Sequence, residues 1–133
     1  METFKFRVRP FFKTSLLYLE WKELCADVNK EHAKQFVLDK VVMTIQEKLS
    51  NYELKIHIDS FKGYRHDLRF SLSKQSNDFI REFAKKNQLY IAEALEIILY
   101  VYCSEFLSTQ EIKDNGLHNW QIGFQWVSKD NLE

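Results

Sequence analysis

Near the start of the chain Phe4, Phe6 and Val8 alternate with Lys5, Arg7 and Arg9, and further on Leu68, Phe70 and Leu72 alternate with Arg69, Ser71 and Ser73. Successive side chains of a strand point to opposite faces, so each segment predicts a strand with one apolar and one polar or basic face. Two helical patterns follow each strand. After the first, Leu17, Trp21, Leu24, Cys25 and Val28 recur at helical spacing, a break falls near Asn29, and a second helix carries Phe36, Val37, Val41, Ile45 and Leu49 on one face. After the second, Ser76 or Asn77 caps a helix bearing Phe79, Ile80, Phe83 and Ala84, with Asn87 in a left-handed position at its end. The next helix, with Ile91, Leu95, Ile98, Leu99, Tyr102 and Phe106, is apolar on most faces and belongs in a core or an oligomer interface.

Two weaker strand patterns complete the chain. Leu54, Ile56 and Ile58 alternate with Lys55, His57 and Asp59, and Gly63 turns the chain before the next strand. Beyond the turn signal at Asp114, Asn115 and Gly116, the residues Trp120, Ile122, Phe124 and Trp126 alternate with Gln121, Gly123 and Gln125. The expected fold class is α+β: a single domain over 1–133 that holds an internal repeat of two strand-helix-helix units, at 3–51 and 65–109. Short strands are added in the middle and at 117–128, the latter as a C-terminal strand or arm.

A length of 133 residues with 45% hydrophobic residues suffices for one core. The 19 basic and 19 acidic residues cancel, which speaks against the uniformly cationic surface of many nucleic-acid binders. The distribution is less even than the total. Lys5, Arg7, Arg9 and Lys13 face only Glu2 within the first strand segment, and Lys62, Arg65, Arg69 and Lys74 face only Asp67 around the other. Cys25 and Cys103 lie far apart in apolar helical patterns, without metal or redox spacing, and read as buried free thiols. No apolar run reaches the roughly 20 residues that cross a bilayer, so a cytoplasmic location without membrane contact is expected.

The segment RHDLRFSLSKQSNDFIREFAKKNQLYIAEALEIILYVY resembles the ribbon-helix-helix DNA-binding family in the order and lengths of its strand, helix, break and longer apolar helix. FKFRVRPFFKTSLLYLEWKELCADVNKEHAKQFVLDKVVM is similar in order, with a longer stretch between strand and break. Where that family usually has glycine at the break, both segments have Asn. In that family two strands pair into an antiparallel ribbon whose outward side chains enter the major groove. The resemblance implies a pseudo-dimer with both ribbon strands in one chain, and bases faced by Arg69, Ser71 and Ser73.

On this expectation Arg7, Arg9 and Arg69 suit guanine edges, Lys5 and Lys13 suit phosphates, and the helix start near Lys74 to Asn77 offers a phosphate its free backbone amides. The same charges would also protect a strand edge that binds nothing. His57, Asp59, His66 and Asp67 lie close in sequence, but a solvated polar face accounts for them better than a metal site. No Gly-rich phosphate loop or nucleophile signature occurs, so neither an enzyme nor a cofactor is expected. The expected role is a non-catalytic nucleic-acid-binding or regulatory accessory protein with DNA as partner, and with a homodimer as a further expectation. The competing expectation is a protein-interaction module, an inhibitor or assembly subunit, whose surface is the aromatic stripe Trp120, Phe124 and Trp126 together with the apolar helix near Ile98.

Overall fold

Pro10 both ends the first strand and opens the first helix: it has no N–H to lose from a ladder or from the first helical turn, and its fixed φ suits that turn. The computed structural model, which describes residues 3–24, 33–58, 66–117 and 122–131, places β1 at Thr3–Val8, α1 at Pro10–Leu24, α2 at Ala33–Lys48 and β2 at Tyr52–Ile58. β3 at His66–Ser71, α3 at Lys74–Lys86, α4 at Ile91–Phe106, α5 at Thr109–Asp114 and β4 at Ile122–Ser128 follow, with a short 3-10 turn at Lys129–Asn131. The class is mixed α+β.

The strands form two separate antiparallel ribbons, β1 with β3 and β2 with β4. In the first, Lys5 lies opposite Arg69, Arg7 opposite Asp67 and Val8 opposite His66. In the second, Leu54 lies opposite Trp126 and Ile56 opposite Phe124. Directly opposed residues share a face, so Phe6, Val8 and Leu68 turn one side of the first ribbon onto the core. That core is one cluster around α4, which packs against α1, α2, α3, β1 and β4. Leu95, Ile97, Ile98 and Leu99 are fully enclosed there. Burial of each stabilises the fold by about 1.5–3 kcal/mol relative to exposure.

Four local expectations are corrected. On α1 the buried face is Phe11, Phe12, Ser15, Leu16 and Leu19, whereas Leu17 is 50% and Trp21 71% exposed. Apolar residues occur on both sides of this helix, so spacing alone chose the wrong stripe; Leu24 lacks a described side chain, and Cys25, Val28 and the break at Asn29 lie outside the described residues. The cap of α3 is Ser73, whose Oγ accepts from the Ser76 N–H, rather than Ser76 or Asn77. At the other end the left-handed residue is Gln88 (φ +55°), not Asn87. Asn87 instead donates its side-chain amide to the Phe83 carbonyl, and the Leu89 N–H reaches back to Ala84 O, closing the helix as a Schellman turn. On α2 the exposed position is Phe36, while Val37, Val41 and Ile45 are buried as the spacing predicts. Gly116 (φ +64°) plays the left-handed part after α5, as the turn signal there implies.

The starts of α1 and α3 are each tied to a carboxylate on another helix. Arg9, immediately before α1, pairs with Glu96 of α4 at 2.5 Å. Ser73, immediately before α3, donates to Asp39 of α2 at 2.8 Å, and the Ser76 hydroxyl reaches the same oxygen at 2.5 Å. These contacts fix how the helices enter from the ribbon.

Glu111 docks α5 on α1. One carboxylate oxygen accepts from Tyr18 Oη at 2.5 Å and Lys22 Nζ at 2.7 Å, and the other accepts from the Ser108 N–H at 3.1 Å. The Lys22 and Tyr18 hydrogen bonds, joined by the Ser108 amide, pull its pKa down from 4.5 to about 2. Hydrogen bonding to Glu111 in turn raises the Tyr18 pKa. Because the folded value lies below the unfolded one, this tie is complete above about pH 4.5 and is lost as pH falls through about 2. Protection of the Thr109–Asp114 amides, taken relative to their intrinsic exchange rates at each pH, should therefore fall across that window in the native chain, and Glu111→Gln should abolish that pH-dependent loss of protection. An equal pH-dependent loss of protection in both chains would show that Glu111 does not hold α5.

Candidate nucleic-acid interface

A two-stranded ribbon has two faces, and burying one of them on the core leaves the other to solvent. On the outer face of β1–β3 the side chains of Lys5, Arg7, Arg69 and Asp67 are exposed and Ser71 is half-buried. Lys5 and Arg69 face each other at mid-ribbon; Arg7 and Asp67 face each other toward one end. Asp67 lies 3.5 Å from Lys5 Nζ and 3.4 Å from Arg7 Nε, forming two solvent-exposed ion pairs. Such pairs contribute about 0–1 kcal/mol and rearrange readily when another partner arrives. The Arg7 side chain keeps 80% of its surface exposed. Lys13 on α1 and Lys74, the first residue of α3, are exposed near the two helix starts.

Two residues expected on this face are not there. Arg9 is 2% exposed and points inward to Glu96. The alternation that carries Lys5 and Arg7 outward stops at Val8, and the turn into Pro10 sends the next side chain into the core. Glu96 was the missed signal. A carboxylate inside the most apolar helix needs a buried cation. Ser73 likewise lies beyond the end of β3, and its hydroxyl is engaged with Asp39 and the α3 cap. Conversely Asp67, expected at a turn, joins the face because β3 already begins at His66.

The aromatic stripe is also corrected. Phe124 and Trp126 are half-buried and pack against the core from the inner face of β2–β4, while Trp120 lies outside the described residues. Tyr100 meets Phe124 edge to face at 5.9 Å, and Lys48 Nζ stands 4.5 Å over the Trp126 ring. Alternation identified residues sharing a face, and that face turns inward. His57 sits on β2 and His66 with Asp67 on β3, in different ribbons; Asp59 lies outside the described residues. Among the described residues no group of three metal-ligating side chains comes together, and no helix is long and apolar enough to cross a membrane.

Cys103 is a buried free thiol, and burial pushes its pKa up to about 12 despite a hydrogen bond with Ser15. It is therefore no nucleophile at neutral pH. A cleft of about 410 Å³ opens between the end of α2, β2 and α3, with Leu49, Phe79 and Phe83 among its walls and Glu82 and Lys86 beside them. Among the described residues neither histidine nor cysteine lines it. Comparison with known protein families, with curated proteins and with solved structures finds no match to this chain.

Proposed function

We propose that this protein is a non-catalytic, DNA-binding regulatory or accessory protein that lays the outer face of the β1–β3 ribbon in the major groove. The observation that carries the reading is the placement of Lys5, Arg7 and Arg69 together on the solvent face of a ribbon whose other face is packed. A ribbon of two strands is about 5 Å between strand axes, and a major groove about 12 Å wide admits it. Arg7 and Arg69 are suited to the O6 and N7 acceptors of guanine, and Lys5 to a neighbouring acceptor. Lys13 and Lys74 stand where flanking phosphates would pass, adding affinity without sequence preference.

The resemblance to the ribbon-helix-helix family supports the same reading, since there too the ribbon joins strands that each lead into two helices. Neutral total charge favours a modest electrostatic contribution, confined to this face. The test is binding to labelled duplex and single-stranded DNA across a salt series. Duplex affinity should fall linearly on a log–log plot with a slope of about −3 to −5, as expected if three to five phosphates are neutralised. Failure to bind duplex even at low salt would overturn the proposal and redirect attention to a protein partner at the exposed Leu17 and Trp21 of α1.

A further inference from the structure

The outer ribbon face has different chemistry at its two ends. At one end Arg7 opposes Asp67, and at the other the register sets Thr3 opposite Ser71. Lys5 and Arg69 stand between them. Resting on the DNA-binding reading, we infer that Asp67 is a specificity-determining residue and that the target is a non-palindromic site with a G·C pair under the Arg7–Asp67 end.

A carboxylate in a DNA groove is repelled by the phosphates, so it weakens binding to every sequence that offers it no donor. The major-groove edge of cytosine offers one, its N4 amino group, while the paired guanine offers O6 and N7 to an arginine. Arg7 and Asp67 are direct cross-strand neighbours, whose Cα atoms lie about 4.5–5.5 Å apart. They can therefore address the two halves of one base pair, or of adjacent pairs. Before binding, Asp67 occupies Lys5 and Arg7 through contacts at 3.5 and 3.4 Å. Random DNA must break those contacts and gains no hydrogen bond to the carboxylate in return; the matching site restores one. Repulsion of the wrong sequence and attraction of the right one thus come from the same side chain. Ser71, toward the opposite end of β3, is uncharged and carries no such requirement, so the two half-sites differ.

The experiment compares the full chain with Asp67→Asn, which preserves size and removes the charge. Asp67 is exposed and its ion pairs are weak, so the variant keeps its fold, which circular dichroism checks. Both proteins are used to select duplexes from a randomised pool, and both are titrated with random-sequence duplex. The native chain should enrich a non-palindromic sequence with a fixed off-centre G·C pair. Asp67→Asn should bind random duplex about fivefold more tightly at low salt, the effect of one unit charge about 4 Å from another in water. Its discrimination at that pair should fall by about fivefold to a hundredfold. Enrichment of a palindrome, or unchanged discrimination and random binding in Asp67→Asn, would overturn this inference while leaving the ribbon as the binding face. Absence of binding by both chains would instead overturn the DNA-binding reading.

Discussion

Arg9→Ala is expected to destabilise the fold by about 3–5 kcal/mol, the cost of leaving one member of a buried ion pair without the other. The Glu96 side chain has no exposure and that of Arg9 only 3%, so water cannot take over the lost contact. A domain of this size is typically stable by only about 5–15 kcal/mol, and the single substitution therefore removes a large share of the whole. Urea unfolding should show a lower midpoint with an unchanged slope. The double substitution Arg9→Met with Glu96→Leu should recover most of the loss, because apolar residues of similar volume often replace a buried pair at little or no cost. A double variant as unstable as the single one would mean that Arg9 acts by something other than its pairing with Glu96. Ser73→Ala, which removes a helix cap of the ordinary kind, belongs on a smaller scale of about 1 kcal/mol.

The second large effect is on binding rather than folding. Replacing Lys5, Arg7 and Arg69 together with Ala should lower duplex affinity by at least about a hundredfold, since a good bidentate base contact is worth about 1–3 kcal/mol. Any of the three that meets a phosphate instead should take about 0.9 from the salt slope. Thermal unfolding should stay near that of the native chain, because all three residues are exposed on the ribbon face turned away from the core. The Arg9→Met, Glu96→Leu double variant provides the contrast: it should bind DNA as the native chain does. Undiminished affinity in the triple variant would mean that the ribbon is not the contact surface.

The contrast between Arg9 and Arg7 shows where sequence stops being informative. Alternation identified β1 and β3, helical spacing identified α2 and α4, and Gly116 marked its turn, because each depends on neighbours in the chain. Which strand pairs with which depends on residues far apart. Nothing in the local pattern brings Asp67 beside Arg7, or Phe124 beside Ile56. Alternation also assigns residues to a common face without saying which way that face points. That is why the basic face of β1 looks out as expected while the aromatic face of β4 looks in. Arg9 failed for a simpler reason: one residue past the strand, the period no longer applies. On α1, Leu16 and Leu17 are adjacent and equally apolar, so only the contact with α4 distinguishes the buried one from the exposed one.

Both strands of the basic ribbon belong to one polypeptide. A binding face built from two separate chains disappears on dilution below their dissociation constant, and its occupancy then depends on the square of concentration. Covalent connection replaces that requirement with a fixed effective concentration. On the DNA-binding reading proposed above, a single copy of this molecule would carry the whole face, and target occupancy would rise in simple proportion to the first few molecules made, without a threshold.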